Sequence, residues 1–142
     1  MNKLPLITFL FLFVSTSANA QWIKYGETTT SEYFYADDSV QLHSELMRVW
    51  LKINFKKPQN PVYGRKELTF EMPTKSWDSY DEMNCKTYES RNLFFTLWTE
   101  RDLKGDVNYH SKIPSPMKPT PKNTDAMILF NLLCSKKLNK QI

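Results

Sequence analysis

The clearest signal in the chain is a period of two. Over residues 46–55, Val49, Leu51, Ile53 and Phe55 alternate with Arg48, Trp50, Lys52 and Asn54. Successive side chains of a strand point to opposite sides, so this pattern predicts a strand with one apolar and one wetter face. Residues 87–100 predict a second such strand, with Leu93, Phe95 and Leu97 set against Phe94, Thr96 and Trp98. Residues 22–25 and 32–36 are short, aromatic and β-favouring. Asp37, Asp38 and Ser39 end the second of these, as residues that stabilise turns through their own side chains. Weaker strands are read over residues 66–72, 75–84 and 106–113. Pro58 and Pro61 make residues 56–63 a loop. Pro114, Pro116, Pro119 and Pro121 make a stiff connector unsuited to a helix or a central strand.

Helical periodicity enters only after that connector. Thr124 is the expected N-cap, and Asp125 complements the helix dipole in the first turn. Ala126, Met127, Leu129, Phe130, Leu133 and Cys134 share one arc, with Ile128 and Leu132 outside it. Lys136, Lys137 and Lys140 gather at the far end, where cations suit the dipole. A run of strands followed by one helix is an α+β pattern. One helix covers one face of a sheet, yet Trp50 and Trp98 load the wetter face with large rings. Either loops and aromatic packing close that face, or it receives a partner or a second copy of the chain. Arg48, Trp50, Phe94 and Trp98 are the candidate residues for such a binding face.

The start of the chain follows neither period. Lys3 precedes an apolar run over residues 4–14 broken only by Pro5 and Thr8, and Ala18-Asn19-Ala20 fits a small-x-small cleavage site. The run is too short to cross a hydrocarbon core of about 30 Å, and no later run is long enough. Residues 1–20 are therefore expected to be a signal peptide cleaved between Ala20 and Gln21. That leaves residues 21–142 as one domain in the periplasm, secreted or at the cell surface. A lipid anchor would need a cysteine where Gln21 stands. This changes the composition: of the 41% apolar residues, a disproportionate share belongs to the leader. All four Trp and all seven Tyr belong to the domain. A domain of about 120 residues buries roughly two-thirds of its unfolded surface, which excludes a multidomain enzyme or a repeat array.

Export also decides how the cysteines are read. Cys85 and Cys134 are the chain's two cysteines, and an even count in an oxidising compartment favours a disulfide, here with one available pairing. There is no C-x-x-C to suggest redox work. His43 and His110 are the two histidines. Neither sits in a nucleophile elbow, a zinc motif or a Cys/His signature, so both read as surface residues. Asp37-Asp38 reads as a strand-end turn, because adjacent side chains diverge. Asp78, Asp81 and Glu82 lack the spacing of a calcium loop, and three glycines cannot build a phosphate loop. No catalytic residue, metal or cofactor is expected. The net charge of +4 is mild. Lys56-Lys57 and the basic helix end do not outweigh an exported address, and nucleic acid is not an expected partner.

Taken in order, Trp22 at the start of the domain, Tyr33-Phe34-Tyr35-Ala36-Asp37, Val49-Trp50-Leu51, the strand from Cys85 to Arg91 preceded by Asn84, and a last cysteine in a C-terminal helix after a Pro-rich segment form a pattern. It resembles the surface-adhesin protein E family of exported Gram-negative proteins over nearly all of residues 22–134. The resemblance implies an antiparallel sheet of about six strands with one C-terminal helix held to a sheet face by a Cys85–Cys134 bridge. It also implies a non-enzymatic binding or adhesion-type module of the bacterial envelope, with a host matrix protein or another envelope protein as partner. The alternatives are an envelope accessory protein and a small periplasmic hydrolase using His43 or His110. Gln21 departs from the lipidated cysteine of the name-giving adhesins.

Overall fold

A computed structural model describes residues 21–60, 62–63, 66–67 and 70–139. The expected signal peptide, part of the weak strand at 66–72, and Lys140 lie outside the described residues. The elements in chain order are β1 (Trp22–Glu27), β2 (Ser31–Ala36), a 3-10 turn (Asp37–Ser39), β3 (Gln41–His43), β4 (Leu46–Gln59), β5 (Val62–Tyr63), β6 (Lys66–Glu67), β7 (Thr74–Asn84), β8 (Glu89–Glu100), β9 (Lys104–Ser111), β10 (Lys118–Pro119) and α1 (Asp125–Asn139).

The main sheet is antiparallel and has eight strands. Its spine runs β1-β2-β4-β7-β8, with β3 also on β4, and with β9 and β10 on the outer edge of β8. Six of these strands are six residues or longer, in keeping with the sheet of about six strands that the resemblance implies; β3 and β10 have three and two residues. Elements that short carry no readable period. β10 places Pro119 at the sheet's rim, where a missing N–H costs no ladder bond. β4 runs on through Pro58 to Gln59, further than its alternation suggests, past an irregularity between Asn54 and Gln59.

α1 packs on one face. Thr124 caps it as expected, its Oγ accepting from the Met127 N–H at 3.3 Å. Leu129, Phe130 and Leu133 are fully buried against Tyr35, Met47, Val49 and Met83. Leu132 also packs on this core while Ala126 is exposed, so the buried stripe is shifted slightly from the sequence arc. Both ends of the helix are fixed. At its start, the backbone of Gly26 approaches so closely that a Cβ there would stand 2.5 Å from Asp125 Oδ1. Near its end, Cys134 is bonded to Cys85 in the turn after β7, Cα to Cα 5.7 Å. Lys136 donates to Tyr35 Oη and Asp37 Oδ1, both at 2.9 Å.

The opposite face is only partly open, and here the structure corrects the simple alternation. Lys52 and Asn54 lie on the wetter side of β4 yet are 7% and 2% exposed. The β8–β9 turn folds over them. Asp102 and Leu103, both in the left-handed region, aim their N–H groups at Asn54 Oδ1 and Ser76 Oγ at 2.9 and 3.1 Å. Asp102 Oδ1 accepts from Asn54 at 2.7 Å and from Lys52 at 3.0 Å. Arg101 reaches the Phe55 carbonyl at 3.0 Å and the Glu32 carboxylate.

Candidate functional site

Directly paired residues of antiparallel strands share a face, so the register builds the open face row by row. Trp50 pairs with Tyr80, and Tyr80 with Phe94. Their ring centroids form a triangle of 5.1 Å (Trp50–Tyr80), 5.0 Å (Trp50–Phe94) and 5.3 Å (Tyr80–Phe94). Such contacts add about 0.5–1.5 kcal/mol each beyond burial and hold the rings as a stiff platform.

On one side of the rings lies an ionic row. Arg48 pairs with Glu82, and Glu82 with Arg91. Glu82 is wholly buried and accepts from Arg48 Nε at 2.7 Å and from Arg91 Nη2 at 2.7 Å. Burial alone would raise its carboxyl, but the two guanidinium groups outweigh that and hold it below the usual range. On the other side, Lys52 lies over the rings of Phe34 and Trp22, 4.4 and 5.1 Å from their centroids. Asp78 accepts from Trp98 Nε1 at 2.6 Å. Desolvation pushes the Asp78 carboxyl up, and the indole bond offsets part of that.

The four residues singled out in the sequence thus fall on one face, with Trp50 and Phe94 in contact and Trp98 joined to Asp78. Tyr80, Glu82, Arg91, Asp78 and Trp22 complete it and went unread. β7 gave a weak period because acids interrupt it. Arg91 shares the face with Phe94 only because a bulge between Tyr80 and Asp81 shifts the pairing, which reverses the in–out sense of the residues beyond it.

Two concavities flank this geometry. One, of about 390 Å³, is lined by Trp22, Ala36, Asp38, Ser39, Trp50 and Asp78 on the open face. The other, of about 460 Å³, lies beside the disulfide between Glu45, Lys86, Tyr88 and Asn131. His43 is exposed in β3. His110 Nδ1 is 2.9 Å from the Thr96 hydroxyl. Among the described residues no group of three or more His, Cys, Asp or Glu is placed to hold a metal ion, and no helix is long and apolar enough to cross a membrane.

Comparison with known proteins places the fold. The family described as surface-adhesin protein E matches residues 22–135. A crystal structure of Haemophilus influenzae protein E (crystal form II) superposes with a TM-score of 0.61 at 14% identity, covering 85% of this chain and 92% of that one. A structure of protein E from non-typeable Haemophilus influenzae gives 0.60 at 13% identity, covering 87% and 82%. At such identities the likeness is one of fold. No curated protein matches the sequence.

Proposed function

The chain belongs to the surface-adhesin protein E family, and on that premise we propose that it is an exported, non-enzymatic module whose open sheet face binds a protein partner. Family membership supports an adhesin-type envelope protein at the coarser level. The observation that carries the finer reading is the Trp50–Tyr80–Phe94 triangle. Large rings held stiffly, half-buried and opposite the helix lose little entropy on binding, which is the profile of an interface hot spot. Arg48 at the rim and Trp98 beyond it extend the same surface. Export after cleavage at Ala20–Gln21 forms part of this proposal. Intact mass of the protein recovered from the periplasm or medium tests it, with residues 21–142 expected.

The partner is either a host matrix protein or another envelope protein. Exported protein is therefore passed over immobilised matrix proteins and, in parallel, over envelope extract. Saturable retention in one arm is expected. Trp50→Ala is expected to weaken it about 30-fold, as a hot-spot tryptophan does, with Trp98→Ala weaker in effect. If fold, oligomeric state and every interaction survive both substitutions, the binding-face reading is wrong.

A further inference from the structure

Lys52 stands directly across from Asp78 in the β4–β7 register, the placement in which opposite charges ordinarily pair. Its ammonium turns away instead, to Asp102 at 3.0 Å. Asp78 keeps the Trp98 indole N–H and has no lysine or arginine at ion-pair distance among the described residues. Asp38 is in the same position. Its neighbour Asp37 takes Lys136, while Asp38 itself is paired with no cation among the described residues. These two carboxylates line one concavity of about 390 Å³ with the indoles of Trp22 and Trp50.

Two indole rings and two carboxylates without a lysine or arginine partner around one cavity have the composition that receives an organic cation. The ring faces attract positive charge within about 6 Å, and a carboxylate strengthens each N–H bond it accepts from an ammonium or guanidinium. We propose that this pocket takes up a lysine or arginine side chain presented by the protein partner. The proposal deepens the binding-face reading and rests on it. An apolar guest would finish burying Asp78 with no counterion, and an anion would oppose it outright. The cations nearby are already committed, Lys52 to Asp102 and both Arg48 and Arg91 to Glu82. Within the chain, the lysine ammonium over Trp22 and Phe34 shows the same face receiving a cation on its rings.

The test titrates capped tripeptides into the exported protein at about pH 8, where the lysine and arginine side chains of the peptides are charged. The central residue is lysine, arginine, norleucine or glutamate. Tryptophan fluorescence and indole N–H resonances report binding. Lysine and arginine peptides are expected to saturate and to move the Trp22 and Trp50 signals, with norleucine and glutamate peptides inert. Asp78→Asn keeps an acceptor for Trp98, and Asp38→Asn changes an exposed turn. Each is expected to weaken basic-peptide binding about tenfold without lowering the thermal midpoint. Norleucine binding as well as lysine, no saturation with either basic peptide, or Asn variants that fold and bind as before would each overturn the proposal. If the basic peptides fail while Trp50→Ala still weakens partner capture, this inference falls and the binding-face reading stands.

Discussion

Asp81→Asn should make the protein more stable, and more so at neutral than at acid pH. Asp81 lies on the helix side of β7, opposite the fully buried Val49. Asn92 donates to it at 2.8 Å, and no lysine or arginine pairs with it among the described residues. Desolvation pushes its carboxyl up from 3.8 to about 6, against the pull of hydrogen bonds from Ser79 and Asn92. A carboxyl raised on folding is penalised in its ionised form. The cost is therefore absent below about pH 3.8, grows as pH rises towards 6, and is complete above it. At full size it is about 3 kcal/mol; at about pH 4.5 it is about 1 kcal/mol. Asparagine removes the charge and leaves an acceptor for Asn92. Any difference in hydrogen bonding between asparagine and the protonated carboxyl is independent of pH and cancels when two pH values are compared. Urea unfolding of both proteins at about pH 4.5 and 7.5 measures the difference. The variant's advantage should be about 2 kcal/mol larger at the higher pH. An equal advantage at both would refute the argument that Asp81 is ionised under strain.

Glu82 has the opposite sign. Its folded carboxyl is held below the ordinary value, so its contribution is present above about pH 4.5 and is lost as pH falls through the depressed value. Glu82→Gln should cost about 2–3 kcal/mol by urea unfolding at neutral pH, below the range for a fully buried pair because Arg48 and Arg91 remain 38% and 34% exposed. Replacing Cys85 and Cys134 together by alanine opens a loop with a sequence separation of 49. Loss of about 4 kcal/mol is expected on the chain-entropy relation, read as a drop in thermal midpoint that reductant reproduces in the parent protein. Phe130→Ala should cost about 3–5 kcal/mol in the same assay, because the ring is wholly buried.

The parts of the fold that alternation could reach were those with long, regular strands. β4 and β8 announced themselves, and Thr124 marked the start of α1, because each is governed by local rules. β7 was weaker although it is central. Its acids serve separate cross-strand purposes: Asp78 meets Trp98, Asp81 meets Asn92 and Glu82 meets two arginines. A polar residue whose partner is on another strand looks, along the chain, like a break in the pattern. Arg48, Trp50, Phe94 and Trp98 were legible as a group through ring content and parity alone. Arg91 was hidden by a bulge, and Trp22 by sitting on a strand too short for a period. Lys52 and Asn54 read as solvent-facing, since nothing near them in sequence foretells a turn that arrives from residues 101–103.

That turn bears on how the molecule tolerates change. Hairpin tips are ordinarily where insertions, epitope tags and proteolytic nicks are accepted, because they touch nothing. The β8–β9 tip instead bonds to β2, β4 and β7 at once, through Glu32, Lys52, Asn54, Phe55 and Ser76. It acts as a clasp across strands that the chain visits long before it. Lengthening it would loosen its hold on three strands rather than on one loop. An insertion at this tip is therefore expected to cost the fold far more than one at an unattached hairpin end.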